Sequence, residues 1–130
     1  MILFGLTNHE SYLYDTIKNT NKMAKLSTKN VNGTSYHDDT VTCSVNDLKT
    51  ILGKPEYENN TGRDKVNFQW ICETDKGDVF TIYDFKEYRK LNGDEYIEWH
   101  IGGYNKDVTY QAKIELNDMI YLATKNGTIK

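Results

Sequence analysis

The sequence predicts an α+β domain in which an antiparallel sheet of three to four strands carries two helices on one face. Runs of alternating apolar residues stand on both sides of the turn sequence at 75–78. A capped apolar stripe begins after residue 44, and a longer stripe with the helical period lies near the end of the chain. No repeat, linker or low-complexity stretch divides the 130 residues, so we expect one domain over 1–130.

The region 1–34 has the weakest pattern. A thin apolar stripe predicts a short helix from about Glu10 to Lys22. The stripe consists of Tyr12, Leu13, Ile17 and Met23. The polar run at 25–33 predicts a loop.

A strand and a helix follow one another directly. The β-branched segment 40–43 predicts the strand. Ser44 is a suitable N-cap for the helix, and Asp47 lies near its positive end. Gly53 followed by Pro55 ends it, because glycine accepts the left-handed cap and proline cannot continue the helix. The apolar stripe of this helix is Val45, Leu48, Ile51 and Leu52.

Three further strands are predicted in the middle of the chain. The alternating segment 66–72 and the segment 79–85 form a hairpin around the turn at 75–78. The third strand spans 96–101, and the glycine pair at 102–103 ends it. In that strand one face carries Ile97, Trp99 and Ile101, and the other carries Tyr96, Glu98 and His100.

A closing helix is predicted from about Val108 to Thr124, with Asp107 as its N-cap. One face of this helix is apolar and should pack against the sheet. Its members are Val108, Ala112, Leu116, Met119, Ile120 and Ala123.

The composition narrows the class of partner. The net charge is −3, which makes binding to a phosphate backbone less expected than binding to a protein. No segment approaches the roughly 20 apolar residues that span a bilayer, and the N-terminus lacks the pattern of a signal peptide. We therefore expect a cytoplasmic protein with no membrane partner. Neither a P-loop nor another cofactor motif occurs, so no cofactor is expected.

The two cysteines and the segment 37–39 could in principle bind a metal ion, but we interpret both as structural. Cys43 and Cys72 lie far apart in alternating apolar runs, which favours buried, reduced thiols on strands. The segment 37–39 (His-Asp-Asp) offers divalent-ion ligands, but no second ligand cluster accompanies it. We interpret this segment as a solvated turn.

The sequence around Asp84 permits one catalytic interpretation. Asp84 and Lys86 are two residues apart on a predicted strand, where they would share a face. Mg²⁺-dependent nucleases of the PD-(D/E)xK type use such a pair, in which the carboxylate holds the metal and the lysine polarises water. The second acidic residue that the motif requires has only Glu73 and Asp78 as candidates. We favour a cross-strand ion pair at the open face of the sheet over a nuclease site, and therefore a protein without catalytic activity.

Aromatic and basic residues in and beside the strands suggest a binding surface. His100 could act as a general acid or base, or as a partly buried histidine bonded to a neighbouring strand. Such a surface can stack single-stranded bases or form a protein–protein hot spot, and tyrosines can also simply shield sheet edges. The negative charge favours the protein partner. The candidate binding residues are Tyr83, Asp84, Lys86, Tyr96, His100 and Tyr104.

Several segments resemble a group of small, mostly uncharacterised bacteriophage-encoded proteins. The resemblance covers about 40–116, and its specific part is the pair TIYD-aromatic-K and EWHIGG. It implies a viral accessory protein made in the host cytoplasm and supplies no catalytic residues. Small phage proteins without a catalytic motif often inhibit host machinery, including restriction and CRISPR effectors. The resemblance therefore implies an anti-CRISPR or similar inhibitor of a host defence nuclease. The segments are Gly53-Lys54-Pro55, Asp64-Lys65-Val66, Gln69-Trp70, 80–86 and 98–103.

Overall fold

The computed structural model describes residues 22–129, which form an antiparallel sheet of six strands and two helices. The strands are β1 (Lys25–Leu26), β2 (Ser35–Cys43), β3 (Tyr57–Glu58), β4 (Phe68–Glu73), β5 (Val79–Tyr83) and β6 (Ile97–Gly103). The helices are α1 (Val45–Ile51) and α2 (Lys106–Lys125). The α+β class and the antiparallel sheet are confirmed. The expected number of three to four strands is wrong.

The two strands that the sequence did not predict, β1 and β3, lie one after the other along the same edge of the sheet. The strand order is β1-β4-β5-β6-β2, and β3 also pairs with β4. Leu26 of β1 pairs with Cys72, whereas Glu58 of β3 pairs with Phe68, so the two short strands cover different parts of the same edge. A strand of two residues cannot display a period of two, so neither strand was predicted, and the run 25–33 that contains β1 was predicted as a loop.

Two tryptophans hold the centre of the core between the sheet and the helices. Trp70 on β4 and Trp99 on β6 are fully buried, with ring centres 5.5 Å apart in an edge-to-face arrangement. The indole N–H of Trp70 donates to the carbonyl oxygen of Gly53 at 2.9 Å, and that of Trp99 donates to Cys43 at 2.9 Å. Each buried indole thus satisfies its polar atom while fixing a neighbouring element.

The helix α1 begins and ends as its sequence predicts. The Ser44 hydroxyl accepts the Asp47 N–H at 3.0 Å, and the Asp47 carboxylate accepts the Ser44 N–H at 3.1 Å. This reciprocal pair is a capping box. At the other end Gly53 has φ of +107°, a left-handed conformation that glycine adopts without strain.

The predicted boundaries of β6 and α2 need correction. Gly102 and Gly103 do not lie beyond the end of β6 but are its last two residues, and they pair with both β5 and β2. The helix α2 begins at Lys106, and its N-cap is Asn105 instead of Asp107. The Asn105 side chain accepts the Val108 N–H at 3.0 Å. Asp107 lies in the first turn instead, where its negative charge interacts favourably with the positive end of the helix dipole.

The predicted N-terminal helix lies, apart from its last residue, outside the described residues. Within 22–129, no helix has both the length and the apolar character that a membrane crossing requires.

The two cysteines are buried and free, as their alternating context predicts. Burial raises the pKa of each thiol to about 12, and Asp47 adds to the effect at Cys43. Since the thiolate is the reactive form, we expect both thiols to react with a disulfide reagent at least about a hundredfold more slowly in the native protein than in urea. The measurement is the rate of thiol labelling with and without denaturant. Fast labelling of either cysteine in the folded protein would contradict the described burial.

Candidate functional site

Of the two faces of the sheet, α1 and α2 both cover the same one, and the other is uncovered by these two helices. Val41, Trp99 and Ile82 point toward the helices and are buried. Residues of the opposite parity point away from them, and we call this side the open face. According to the strand pairing, the four longer strands place the following residues on it: Thr40, Thr42, Gln69, Ile71, Glu73, Val79, Thr81, Tyr83, Glu98, His100 and Gly102.

Four aromatic rings meet on the open face, and we call them the ring cluster: Tyr36, Tyr83, Phe85 and His100. Tyr36 stacks on His100 with ring centres 4.1 Å apart and planes within 16°. His100 also contacts Phe85 at 5.2 Å and Tyr83 at 5.6 Å, and these two rings are 6.2 Å apart. His100 is therefore the centre of the cluster, and it reaches rings that come from β2 and from β5 and its continuation.

Gly102 leaves room for the ring cluster. It pairs with Tyr36 on one side and Thr81 on the other. A Cβ atom at this position would lie 2.6 Å from the Thr81 hydroxyl oxygen and 3.5 Å from Cε1 of Tyr83. A glycine on a strand often marks such a close approach. Here it allows the rings to lie over the sheet.

An irregularity in β2 brings Tyr36 opposite Gly102 and so within reach of the His100 ring. Tyr36 pairs with Gly102 and Thr40 with His100, so three residues of β2 stand opposite the one residue of β6 between them. Within this stretch Asp38 has φ of +67°, and Asp39 is buried. Such an irregularity redirects side chains and disturbs pairing at a sheet edge.

The helix α2 holds this irregularity in place. The Thr109 hydroxyl donates to the Asp39 carboxylate at 2.7 Å, and the Lys106 ammonium lies 3.0 Å from its other oxygen. Lys106 also donates to the carbonyl oxygen of His37 at 3.1 Å. Burial raises the pKa of Asp39, but the hydrogen bonds from Thr109 and Lys106 outweigh it and leave this pKa lowered. The interpretation of 37–39 as a solvated turn is wrong, because Asp39 is the buried anchor of the strand.

Burial changes the titration of the ring cluster. Burial lowers the pKa of His100, which the nearby Glu98 carboxylate partly opposes. Burial also raises the pKa of Tyr83, with a smaller contribution from Tyr36. Both effects favour the uncharged rings, which stack on one another without a desolvated charge.

Asp84 has a structural role that the sequence did not predict. It is buried, and its carboxylate accepts the Asn67 N–H at 2.9 Å and the Phe68 N–H at 2.8 Å, with a second contact to Asn67 at 3.1 Å. Burial raises the pKa of Asp84, and these hydrogen bonds oppose that effect. The carboxylate thus accepts the N–H group of the residue before β4 and that of the first residue of β4.

Asp84 and Lys86 do not share a face. The strand β5 ends at Tyr83 instead of continuing to Phe85, and Lys86 has φ of +57° in the following turn. Lys86 is exposed, with its ammonium 5.2 Å from the centre of the Phe85 ring. The prediction that Asp84 and Lys86 lie on one face of a strand is therefore wrong. The oxygens of Asp84 face backbone N–H groups, whose positive ends would repel a metal ion.

Tyr96 and Tyr104 lie apart from the contacts of the ring cluster. Tyr96 precedes β6 and lines a cavity of about 430 Å³ with residues at the start of α1, including Asn46. Tyr104 follows β6, where its ring packs against Gly33 and its hydroxyl donates to the Asn30 carbonyl oxygen at 3.3 Å. Of the six candidate binding residues, the structure brings together Tyr83 and His100, with Lys86 at the border.

The prediction missed two members of the cluster. Phe85 follows Tyr83 by two residues, so the alternation that places Ile82 in the core also places Phe85 on the open face and Asp84 inward. That signal was present in the sequence. Tyr36 gave no comparable signal, because its position depends on the irregular pairing of β2.

Among residues 22–129, no group of three or more His, Cys, Asp or Glu side chains is arranged to hold a metal ion. Every buried side-chain nitrogen or oxygen in this part of the chain has a hydrogen-bond partner.

Comparisons with models of protein families, with curated proteins and with solved structures found no match to this chain.

Proposed function

We propose that this protein is a non-enzymatic binding domain that engages a partner protein through the ring cluster on its open face. In the cell it would act as a phage accessory protein that inhibits a host defence nuclease of the restriction or CRISPR type. The observation that carries the binding function is the exposure of two aromatic rings of the cluster. Tyr36 is 39% exposed and Phe85 42% exposed, although both contact His100.

The construction of the cluster suits a protein interface. Aromatic side chains are enriched among the residues that contribute most to protein–protein binding, since they offer large area at low entropic cost. The rings sit on strands or directly after one, and their mutual contacts restrict their motion before any partner arrives. Such preorganisation reduces the entropic cost of association.

Charge favours a protein over a nucleic acid at this surface. Burial raises the pKa of Tyr36, and the carboxylates of Asp38, Glu98 and Asp39 raise it further. These negative charges would repel the phosphates of a strand whose bases stacked on the rings. The overall charge of −3 acts in the same direction.

The inhibitor assignment depends on the resemblance to phage proteins, whose TIYD-aromatic-K and EWHIGG segments supply three of the four rings. Tyr83 and Phe85 come from the first segment and His100 from the second. The same segments contain Asp84, which accepts backbone N–H groups at the start of β4, and Gly102, which leaves space beside the Tyr83 ring. A non-catalytic role is favoured because Asp84 is committed to backbone hydrogen bonds.

The test is affinity capture from a bacterial host lysate treated with nuclease, followed by a DNA-cleavage assay on the captured protein. Replacing Tyr36 and Phe85 together with alanine should reduce capture at least about tenfold, because truncating hot-spot aromatics costs about 2 kcal/mol or more. The melting temperature should change by less than about 4 °C, since both side chains are substantially exposed.

The matched control replaces Tyr110 and Tyr121 with alanine. These two tyrosines are 54% and 39% exposed on α2, so the control removes comparable ring area from the opposite side of the sheet. Capture should be retained in this variant. Capture that survives loss of Tyr36 and Phe85, or a captured protein whose DNA cleavage is unaffected by the purified domain, would count against the proposal.

A further inference from the structure

Carboxylates border the ring cluster beside Tyr36. Glu98 precedes His100 by two residues on β6 and pairs with Thr42, which places it on the open face next to the Tyr36–His100 stack. Asp38 follows Tyr36 by two residues in the irregular part of β2. Both carboxylates are exposed, and neither forms an ion pair with any residue in the described part of the chain.

The nearby cations do not neutralise these two groups. Lys106 is close enough to lower the pKa of Tyr36, but its ammonium is bound to Asp39 at 3.0 Å and to the His37 carbonyl oxygen at 3.1 Å. Lys86 lies over the ring of Phe85 instead. The surroundings of Tyr36 therefore combine an exposed ring with two carboxylates that have no counter-ion among residues 22–129.

We propose that the Tyr36 end of the ring cluster binds an arginine side chain of the partner protein. The guanidinium would stack on the face of Tyr36 that His100 leaves free, and its N–H groups would donate to Glu98 and Asp38. This inference rests on the proposed function, because it names the chemistry of the partner at the same site.

The geometry selects arginine over other groups. The face of an aromatic ring carries negative potential and attracts a cation. A guanidinium is planar and therefore stacks on a ring while its edge forms hydrogen bonds to carboxylates. A lysine ammonium lacks this planar stacking mode, and a phosphate would meet two like charges. Arginine is also among the residues that dominate protein–protein hot spots.

The experiment titrates the full chain with N-acetyl-arginine amide and follows the ring resonances of Tyr36 and His100 by NMR. N-acetyl-citrulline amide is the matched probe, because it has nearly the same shape without the charge. We expect saturable shifts with the arginine probe and binding weaker by about fivefold or more with the citrulline probe, the size of a cation–π contribution of about 1 kcal/mol.

Variants identify the groups that bind the probe. Tyr36→Ala should abolish the shift of the His100 ring, and Glu98→Gln should weaken binding about threefold or more, as expected for one exposed charge pair. Asp118→Asn makes the same charge change on α2 and should leave binding unaltered. Both charge variants should keep the melting temperature of the parent protein, which separates loss of binding from loss of fold.

Three outcomes would overturn the inference: no saturable shift, equal binding of the two probes, or stronger shifts of the same rings with a thymidine oligonucleotide. The proposed function has a separate criterion. If capture of a partner depends on Tyr36 and Phe85 while the arginine probe is silent, the arginine assignment fails alone. If no partner protein depends on these rings, the proposed function itself fails.

Discussion

Replacing Asp84 with alanine is expected to lower the free energy of unfolding by roughly 2–4 kcal/mol. The substitution leaves the N–H groups of Asn67 and Phe68 without their acceptor at a buried position. Each buried donor that loses its partner costs about 1–3 kcal/mol, and methyl-for-carboxylate replacement restores none of this. Asp84→Asn should have a smaller effect, because a single amide oxygen can replace Oδ1, which accepts both N–H groups.

Urea denaturation monitored by tryptophan fluorescence measures this effect, since both tryptophans are buried in the core. The control is Asp64→Ala, which removes an exposed carboxylate from the loop before β4 and should change the free energy by less than about 0.5 kcal/mol. A change below 1 kcal/mol for Asp84→Ala would show that these hydrogen bonds contribute little. A catalytic role for Asp84 would then regain weight, and Mg²⁺-dependent stabilisation would be the next measurement.

Replacing Gly102 with alanine should both destabilise the protein and disturb the ring cluster. The added Cβ would lie 2.6 Å from the hydroxyl oxygen of Thr81 on a central strand, well inside van der Waals contact. Thr81 is 5% exposed, and its branched side chain has few alternative rotamers. Overpacking of this kind costs about 1–3 kcal/mol. Partner binding should weaken as well, because the Tyr83 ring is the next contact of the new methyl group.

A second substitution tests whether the loss comes from this one contact. Thr81→Ala removes the hydroxyl, so the double variant Thr81→Ala, Gly102→Ala should be more stable than the two single effects predict when added. The interaction energy is measured from urea unfolding of all four proteins in the cycle. A Gly102→Ala protein with unchanged stability, or strictly additive single effects, would mean that the strands adjust to the methyl group without strain.

The sequence predicted the candidate site only where local alternation holds. Tyr83 and His100 were among the candidate binding residues, with His100 on the strand face opposite Trp99, and the structure brings their rings into contact. Asp84 was placed with Lys86 on one face of a strand, as an ion pair or a metal ligand, whereas the structure directs it inward. A carboxylate at a strand end can satisfy backbone donors of the neighbouring strand, and the sequence does not reveal which donors will be there.

Two features of the site depend on contacts far apart in the chain. Tyr36 joins the ring cluster because three residues of β2 stand opposite one residue of β6. Asp39 stabilises that irregularity through Thr109, which is 70 residues away. A polar segment such as 37–39 has no pattern that would distinguish a solvated turn from a buried anchor, so its role depends on what packs against it.

Local chemistry in the sequence was sufficient to determine the α+β class, the hairpin of β4 and β5, the capped helix α1 and the apolar stripe of α2. These elements depend on periodicity, caps and turns, which act between residues close in sequence. The tertiary structure alone decided the pairing of β1 and β3 with β4, the bulged course of β2 and the inward carboxylate of Asp84. Each of these is stabilised by hydrogen bonds to a distant segment, and the binding surface that we propose exists only after those segments have met.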